Sequence, residues 1–123
     1  MIQHEGEGWR LAWDGSRQPF SVLMGGEGWA AELTEPEASA LRDAVADLVA
    51  QHQGLVDQLM EEEAIELELE RGPWWLAIEG DRRRWSLRVM LTPVSGQRAL
   101  EGSWPAAAAW PFSQALQQLF GQP

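Results

Sequence analysis

The chain has 123 residues, enough for one domain that buries roughly two thirds of its unfolded surface around a single core. It contains no cysteine, which excludes disulfides, thiolate metal sites and a thiol nucleophile, and which fits a reducing cytoplasm. Nineteen acidic residues against nine basic ones give a net charge of −10, which repels phosphate backbones and anionic lipid and makes nucleic acid the disfavoured partner.

The opening residues, Met1 to Gly8, lack the basic patch and apolar run of a secretion signal, and no stretch approaches the ~20 apolar residues of a membrane span. The chain therefore reads as soluble and cytoplasmic. All nine basic residues are arginine, so each cation can fork onto a carboxylate or stack on a ring. Eight tryptophans without a tyrosine assign most of the aromatic area to the core.

Trp9, Leu11 and Trp13 alternate with Arg10, Ala12 and Asp14, so residues 8–14 read as a half-buried strand ended by the Asp14-Gly15 turn signal. Phe20, Val22 and Met24 continue the alternation after Pro19. Gly25 and Gly26 break it, and Trp29, Ala31 and Leu33 begin a third strand. The tetrapeptide Gly-Glu-Gly-Trp occurs at 6–9 and again at 26–29, ahead of a strand each time, and reads as repeated turn chemistry in which glycine supplies positive φ.

Thr34-Glu35-Pro36-Glu37 has the form of a capping box with proline in the first turn. Leu41, Val45, Leu48, His52, Leu55 and Leu59 then recur every three or four residues, which predicts one long helix from Thr34 to Met60. Gly54 weakens its interior by about 1 kcal/mol relative to alanine. Glu61, Glu62 and Glu63 follow, where the partial negative charge of a helix end disfavours them, so they read as solvated residues beyond the helix.

The second half is denser in strands. Ile65, Leu67 and Leu69 alternate with Glu66, Glu68 and Glu70; Trp74, Leu76 and Ile78 with Trp75, Ala77 and Glu79; Trp85, Leu87, Val89 and Leu91 with Ser86, Arg88 and Met90. Leu100, Gly102 and Trp104 form a last strand, and Phe112, Leu116, Leu119 and Phe120 predict a short helix after Pro111. The order βββ(β)-α-ββββ-α predicts an α+β domain with helices on one face of a curved antiparallel sheet, or in the mouth of a half-barrel. It reads as a single domain of two pseudo-repeat halves, about 1–60 and 61–120.

Strand register makes the outer face predictable. A hairpin tip at Gly72-Pro73 sets Leu69 opposite Leu76, Leu67 opposite Ile78 and Glu70 opposite Trp75. A loop over residues 80–83 sets Trp75 opposite Arg88 and Glu79 opposite Arg84, so Glu70, Trp75 and Arg88 form one row across three strands. Such a row is either a binding platform, in which a ring and a forked cation hold a base, a phosphate or a partner's carboxylate, or a surface ladder that pins register. Arg82 and Arg83 sit at the loop tip without an evident partner, the only free positive cluster of the chain, and with Arg84 they complete the candidate set.

Catalytic patterns are missing. His4 lies in a loose terminus, and His52, on the apolar stripe, reads as a satisfied core histidine. No G-x-S-x-G, H-E-x-x-H, phosphate loop or G-x-G-x-x-G occurs. Asp57 and Glu61 to Glu63 point in too many directions to gather a divalent cation. The chain thus reads as non-enzymatic, with no catalytic residue, cofactor or metal.

Leu59-Met60-Glu61-Glu62-Glu63-Ala64-Ile65 after a long helix, Trp75 to Gly80 ending in Glu-Gly, Ser86-Leu87-Arg88, and Arg98 to Trp104 with a second Glu-Gly resemble a cyanobacterial family of small uncharacterised proteins over nearly the whole chain. That resemblance implies the fold of the Whirly and PC-four type single-stranded-DNA-binding regulators, two units of four antiparallel strands plus a helix, with a further strand near residues 1–6. It implies no activity. The chain departs from the DNA-binding relatives in having no lysine-rich strand and a charge of the wrong sign. The leading expectation is a regulatory or assembly protein, monomer or homodimer, that binds another protein through its sheet face or helix edge. The alternatives are single-stranded nucleic-acid binding through Trp75, Arg88 and the loop at 82–84, and a small-molecule pocket between helix and sheet.

Overall fold

The computed structural model describes residues 1–60, 63–92 and 98–120. Its elements follow in the expected order: β1 (Ile2–Gly6), β2 (Trp9–Trp13), β3 (Val22–Gly26), β4 (Trp29–Leu33), α1 (Glu35–Val56), β5 (Ile65–Arg71), β6 (Trp74–Gly80), β7 (Trp85–Leu91), β8 (Leu100–Trp104) and α2 (Ala106–Gln117). The architecture is α+β. Each run of four strands is an antiparallel meander, and the two meanders are separate sheets.

Residues 2–6 supply the fourth strand of the first sheet, so His4 is paired with Leu11 inside β1 rather than sitting in a loose terminus. β3 begins at Val22, after Phe20, and runs through Gly25 and Gly26, which alternation alone marks as a break. Large neighbours cross over these two glycines. A β-carbon on Gly25 would lie 3.0 Å from Arg10 Nε, and one on Gly26 would enter the Trp29 indole.

The repeated Gly-Glu-Gly-Trp is one hairpin device used twice. Its second glycine takes a φ of +81° at Gly8 and +82° at Gly28, in a turn of two residues. Its first glycine does something different: Gly6 and Gly26 are the cross-strand partners of Trp9 and Trp29, and each lies beneath that indole.

Thr34 caps α1 as its sequence requires. Glu37 N–H donates to Thr34 Oγ1 at 3.3 Å and Thr34 N–H donates to Glu37 Oε1 at 2.9 Å. The helix ends at Val56, short of Met60, because Gln58 N–H and Leu59 N–H close tight turns onto Leu55 and Val56 carbonyls and the chain leaves the axis. Leu55 is consequently exposed and Leu59 lies past the helix; the buried stripe is Ala38, Leu41, Ala44, Val45, Leu48, Val49, His52 and Val56. Glu61 and Glu62 lie outside the described residues, while the Glu63 carboxylate accepts Met60 N–H at 3.1 Å.

The second helix starts earlier than the pattern after Pro111 predicts. Ala106 to Ala109 are strong helix formers, so α2 begins at Ala106 and carries Pro111 within it, at the loss of one backbone hydrogen bond.

α1 leaves the first sheet and lies along β5 and β6 of the second. Trp74, the first residue of β6, donates its indole N–H to Glu37 O at 3.0 Å, and Gly80, the last, places its carbonyl 3.0 Å from His52 Nε2. Fifteen residues of helix rise about 22 Å. Six residues of strand rise about 20 Å. Helix and strand therefore run parallel and in step, and His52 is a satisfied core histidine.

α2 spans the two sheets, packing on β7 of one and β2 of the other. β8, with Arg98 ahead of it, meets β3 and β4 through side chains instead of a ladder. Trp29 Nε1 donates to Ser103 O at 3.3 Å, Trp104 Nε1 to Gly25 O at 3.0 Å, and Arg98 Nη2 to Glu32 O at 2.7 Å. Trp104 is fully buried between Trp29 and Phe112, its ring stacked 3.9 Å from that of Phe112. One cluster of buried side chains contains residues of both sheets and both helices.

Gly102 of β8 lies under the Trp29 ring with no room for a β-carbon. A Gly102→Ala variant is expected to lose about 1–3 kcal/mol of unfolding free energy. Urea denaturation measures this, and shrinking the ring with Trp29→Leu should make the second substitution cost less than it does alone.

Candidate functional site

The outer face of the β5–β8 sheet carries the residues that the sequence singles out. Glu70 is opposite Trp75, as expected, but Trp75 is opposite Met90, and Arg88 is opposite Ala77. The register differs from expectation by two residues because the β6–β7 loop is Asp81 to Arg84, closing with Gly80 opposite Trp85. Asp81 sets that loop: its Oδ1 accepts Arg83 N–H at 2.8 Å and Arg84 N–H at 2.9 Å, and its own N–H donates to Arg84 O. The two amides, Arg84 first, hold the Asp81 carboxyl below the usual carboxylate range.

A shift of two preserves sidedness, so Arg88 stays on the outer face and reaches Trp75 along the diagonal. Its Cζ lies 5.2 Å from the ring centroid. Trp75 Nε1 donates to Glu68 Oε1 at 2.9 Å. Glu70 is an exposed neighbour, and Glu79 faces Ser86 rather than Arg84. The row Glu70–Trp75–Arg88 is thus a cluster of Glu68, Glu70, Trp75 and Arg88, with Met90 beside the ring.

Of the loop arginines, Arg82 turns away from it. Arg82 Nη2 donates to Val56 O at 3.3 Å and to Leu59 O at 3.4 Å, and its Nε lies 3.7 Å from Asp57 Oδ1, so Arg82 serves the end of α1. Arg83 is also engaged. The reading of Arg82 and Arg83 as a free positive cluster is therefore corrected. The α1 terminus presents its carbonyls just where the loop passes, which periodicity does not reveal.

Charge on this sheet face is one-sided. Glu66, Glu68 and Glu70 of β5, Glu79 of β6 and Glu101 of β8 point outward, against Arg88 alone. Among the described residues no group of three or more His, Asp and Glu side chains is arranged to hold a metal ion.

Two features escape the sequence reading. The first is a buried-edge cluster at the seam. Arg98 forks onto Glu37, with Nη1 2.9 Å from Oε2 and Nη2 2.5 Å from Oε1, and its guanidinium lies 4.6 Å from the Phe20 ring. A cleft of about 240 Å³ opens beside it between Ala31, Glu32 and Leu100. The second is Trp110, exposed at 45% on α2, where it lines the groove against α1. Its position on α2 is invisible while that helix is assigned to begin after Pro111.

The fold defines a small α+β protein built from two four-stranded meanders, each followed by a helix. Residues 4–119 match the family described as Domain of unknown function (DUF1818), and the chain belongs to that family. It is similar to a crystal structure from the cyanobacterium Prochlorococcus sp. NATL2A, described as a protein with unknown function from DUF155 family. The two are 42% identical with a TM-score of 0.89 over 96% of this chain and 98% of that one. No curated protein matches. Among the described residues no helix is long and apolar enough to cross a membrane.

The Arg98 fork, and then Thr34 N–H, hold the Glu37 carboxyl below its ordinary value of 4.5, outweighing the effect of burial. The unfolded chain takes up this proton near 4.5 and the folded chain only at lower pH. Glu37 therefore stabilises the fold above that value, and its contribution is lost as pH falls from there through the depressed folded value. Thermal unfolding across acid pH is expected to show a shallower loss in Glu37→Gln than in the native chain. Asp14 and Asp81, also depressed, keep a residual slope in both.

Proposed function

We propose that this chain is a non-enzymatic protein-binding module whose β5–β8 outer face receives a basic segment of a partner protein. The observation that carries this reading is the census of that face: five glutamates share it with Trp75 and Met90, against one arginine. Such a field draws cations and steers their approach, and a partner's arginines can fork onto the carboxylates. Trp and Met are enriched at interface centres.

Nucleic acid is the second reading. It is supported by the Arg88–Trp75 stack and by the doubled ββββα order, which suits kinship with the Whirly and PC-four type regulators. Against it, one face of the Trp75 ring is covered by Arg88 and its N–H is committed to Glu68, and the surrounding carboxylates repel phosphate.

The test uses the immobilised chain and a variant carrying Glu70→Lys, Glu79→Lys and Glu101→Lys. After crosslinking in cell extract, the native chain is expected to retain a basic protein that the charge-reversed variant does not. Equal recovery by both overturns the reading. Tryptophan emission during titration with an oligothymidylate at low salt is expected to stay constant, and quenching at micromolar concentrations would transfer the assignment to nucleic acid.

A further inference from the structure

We propose that the groove between α1 and α2, around Trp110, is a self-association surface filled by the same face of a second copy of this chain. Of eight tryptophans, Trp110 alone is exposed, and it is held edge-on against the buried Trp85 at 6.1 Å. Hollows flank it on both sides. One, of about 240 Å³, runs between α1 and α2; the other, of about 400 Å³, lies between Trp110 and the β6–β7 loop, where Arg82 and Arg83 line it. A rigid projecting indole thus sits beside space that an indole can fill.

Charge identifies the occupant. The first hollow is lined by Val45, Ala46, Val49, Ala50 and Gln53 of α1 and by Trp110, Ser113 and glutamines of α2, none of them ionisable. In a chain of net charge −10, two copies repel wherever their carboxylates face, as they would across the acidic sheet face. An uncharged patch is where like-charged copies can approach at least electrostatic cost. A two-fold contact also needs one patch that is complementary to itself, and here knob and hollow share one surface. The side-chain amides of Gln53 and Gln114 add donors and acceptors, so each can pair with its own kind. A basic partner would find no carboxylate in either hollow.

Sedimentation velocity of the full chain from micromolar to near-millimolar concentration tests the proposal. Ala50 is exposed, so Ala50→Arg leaves the fold intact while placing a charge in the uncharged hollow of each copy. The native chain and a Glu70→Lys control are expected to form a dimer with the same dissociation constant. Ala50→Arg should weaken it at least tenfold with an unchanged far-ultraviolet spectrum, and Trp110→Ala should do the same. A native chain that stays monomeric throughout overturns the proposal and returns the groove to a foreign peptide or small ligand. So does a dimer that Ala50→Arg leaves intact.

Discussion

A helix laid parallel to one strand, with a polar contact at each end, is the constraint on which this molecule depends. The span from Glu37 to His52 matches the span of β6, so Trp74 and Gly80 can meet the helix at both points only in one register. Arg71 adds an ion pair with Asp47 between them, and Arg82 closes on the carbonyls beyond. Because α1 follows the first sheet in sequence but packs on the second, the same contacts divide eight strands into two meanders. α2 then bridges the two sheets.

The polar atoms of the aromatic residues are spent inside the structure. Five indole N–H groups, those of Trp13, Trp29, Trp74, Trp75 and Trp104, donate to protein oxygens, and four of these bonds tie together elements that are not neighbours in the chain. Arginine is used similarly: Arg71, Arg82 and Arg98 each fasten a different point of α1 to the second half. With these three cations committed to the helix, the outer sheet face is dominated by carboxylate. The functional reading rests on that division of labour.

Much of this was legible from residue order. The change from period two to period 3.6 locates α1, the capping box locates its start, and alternation locates all the strands of the second half, because these signals arise from one residue meeting its near neighbours. What periodicity misses depends on contacts distant in sequence. Gly25 and Gly26 look like a strand break until Arg10 and Trp29 are seen crossing them. Arg82 looks unpartnered until the end of α1 is placed beside its loop. The Trp75–Arg88 contact was legible as a pairing but not as a diagonal, since Asp81 decides the loop. Trp110 was hidden by taking Pro111 as a helix start, although four successive alanines precede it.

The Trp29 indole covers two glycines at once, Gly26 on its own sheet and Gly102 on the other. Evolution cannot adjust these positions independently. In any homologue that keeps the large ring, both glycines are obligatory, and a lineage that acquires a side chain at either must first surrender the ring. Positions 26, 29 and 102 should therefore drift as a set, a correlated signature by which relatives of low overall similarity can be recognised.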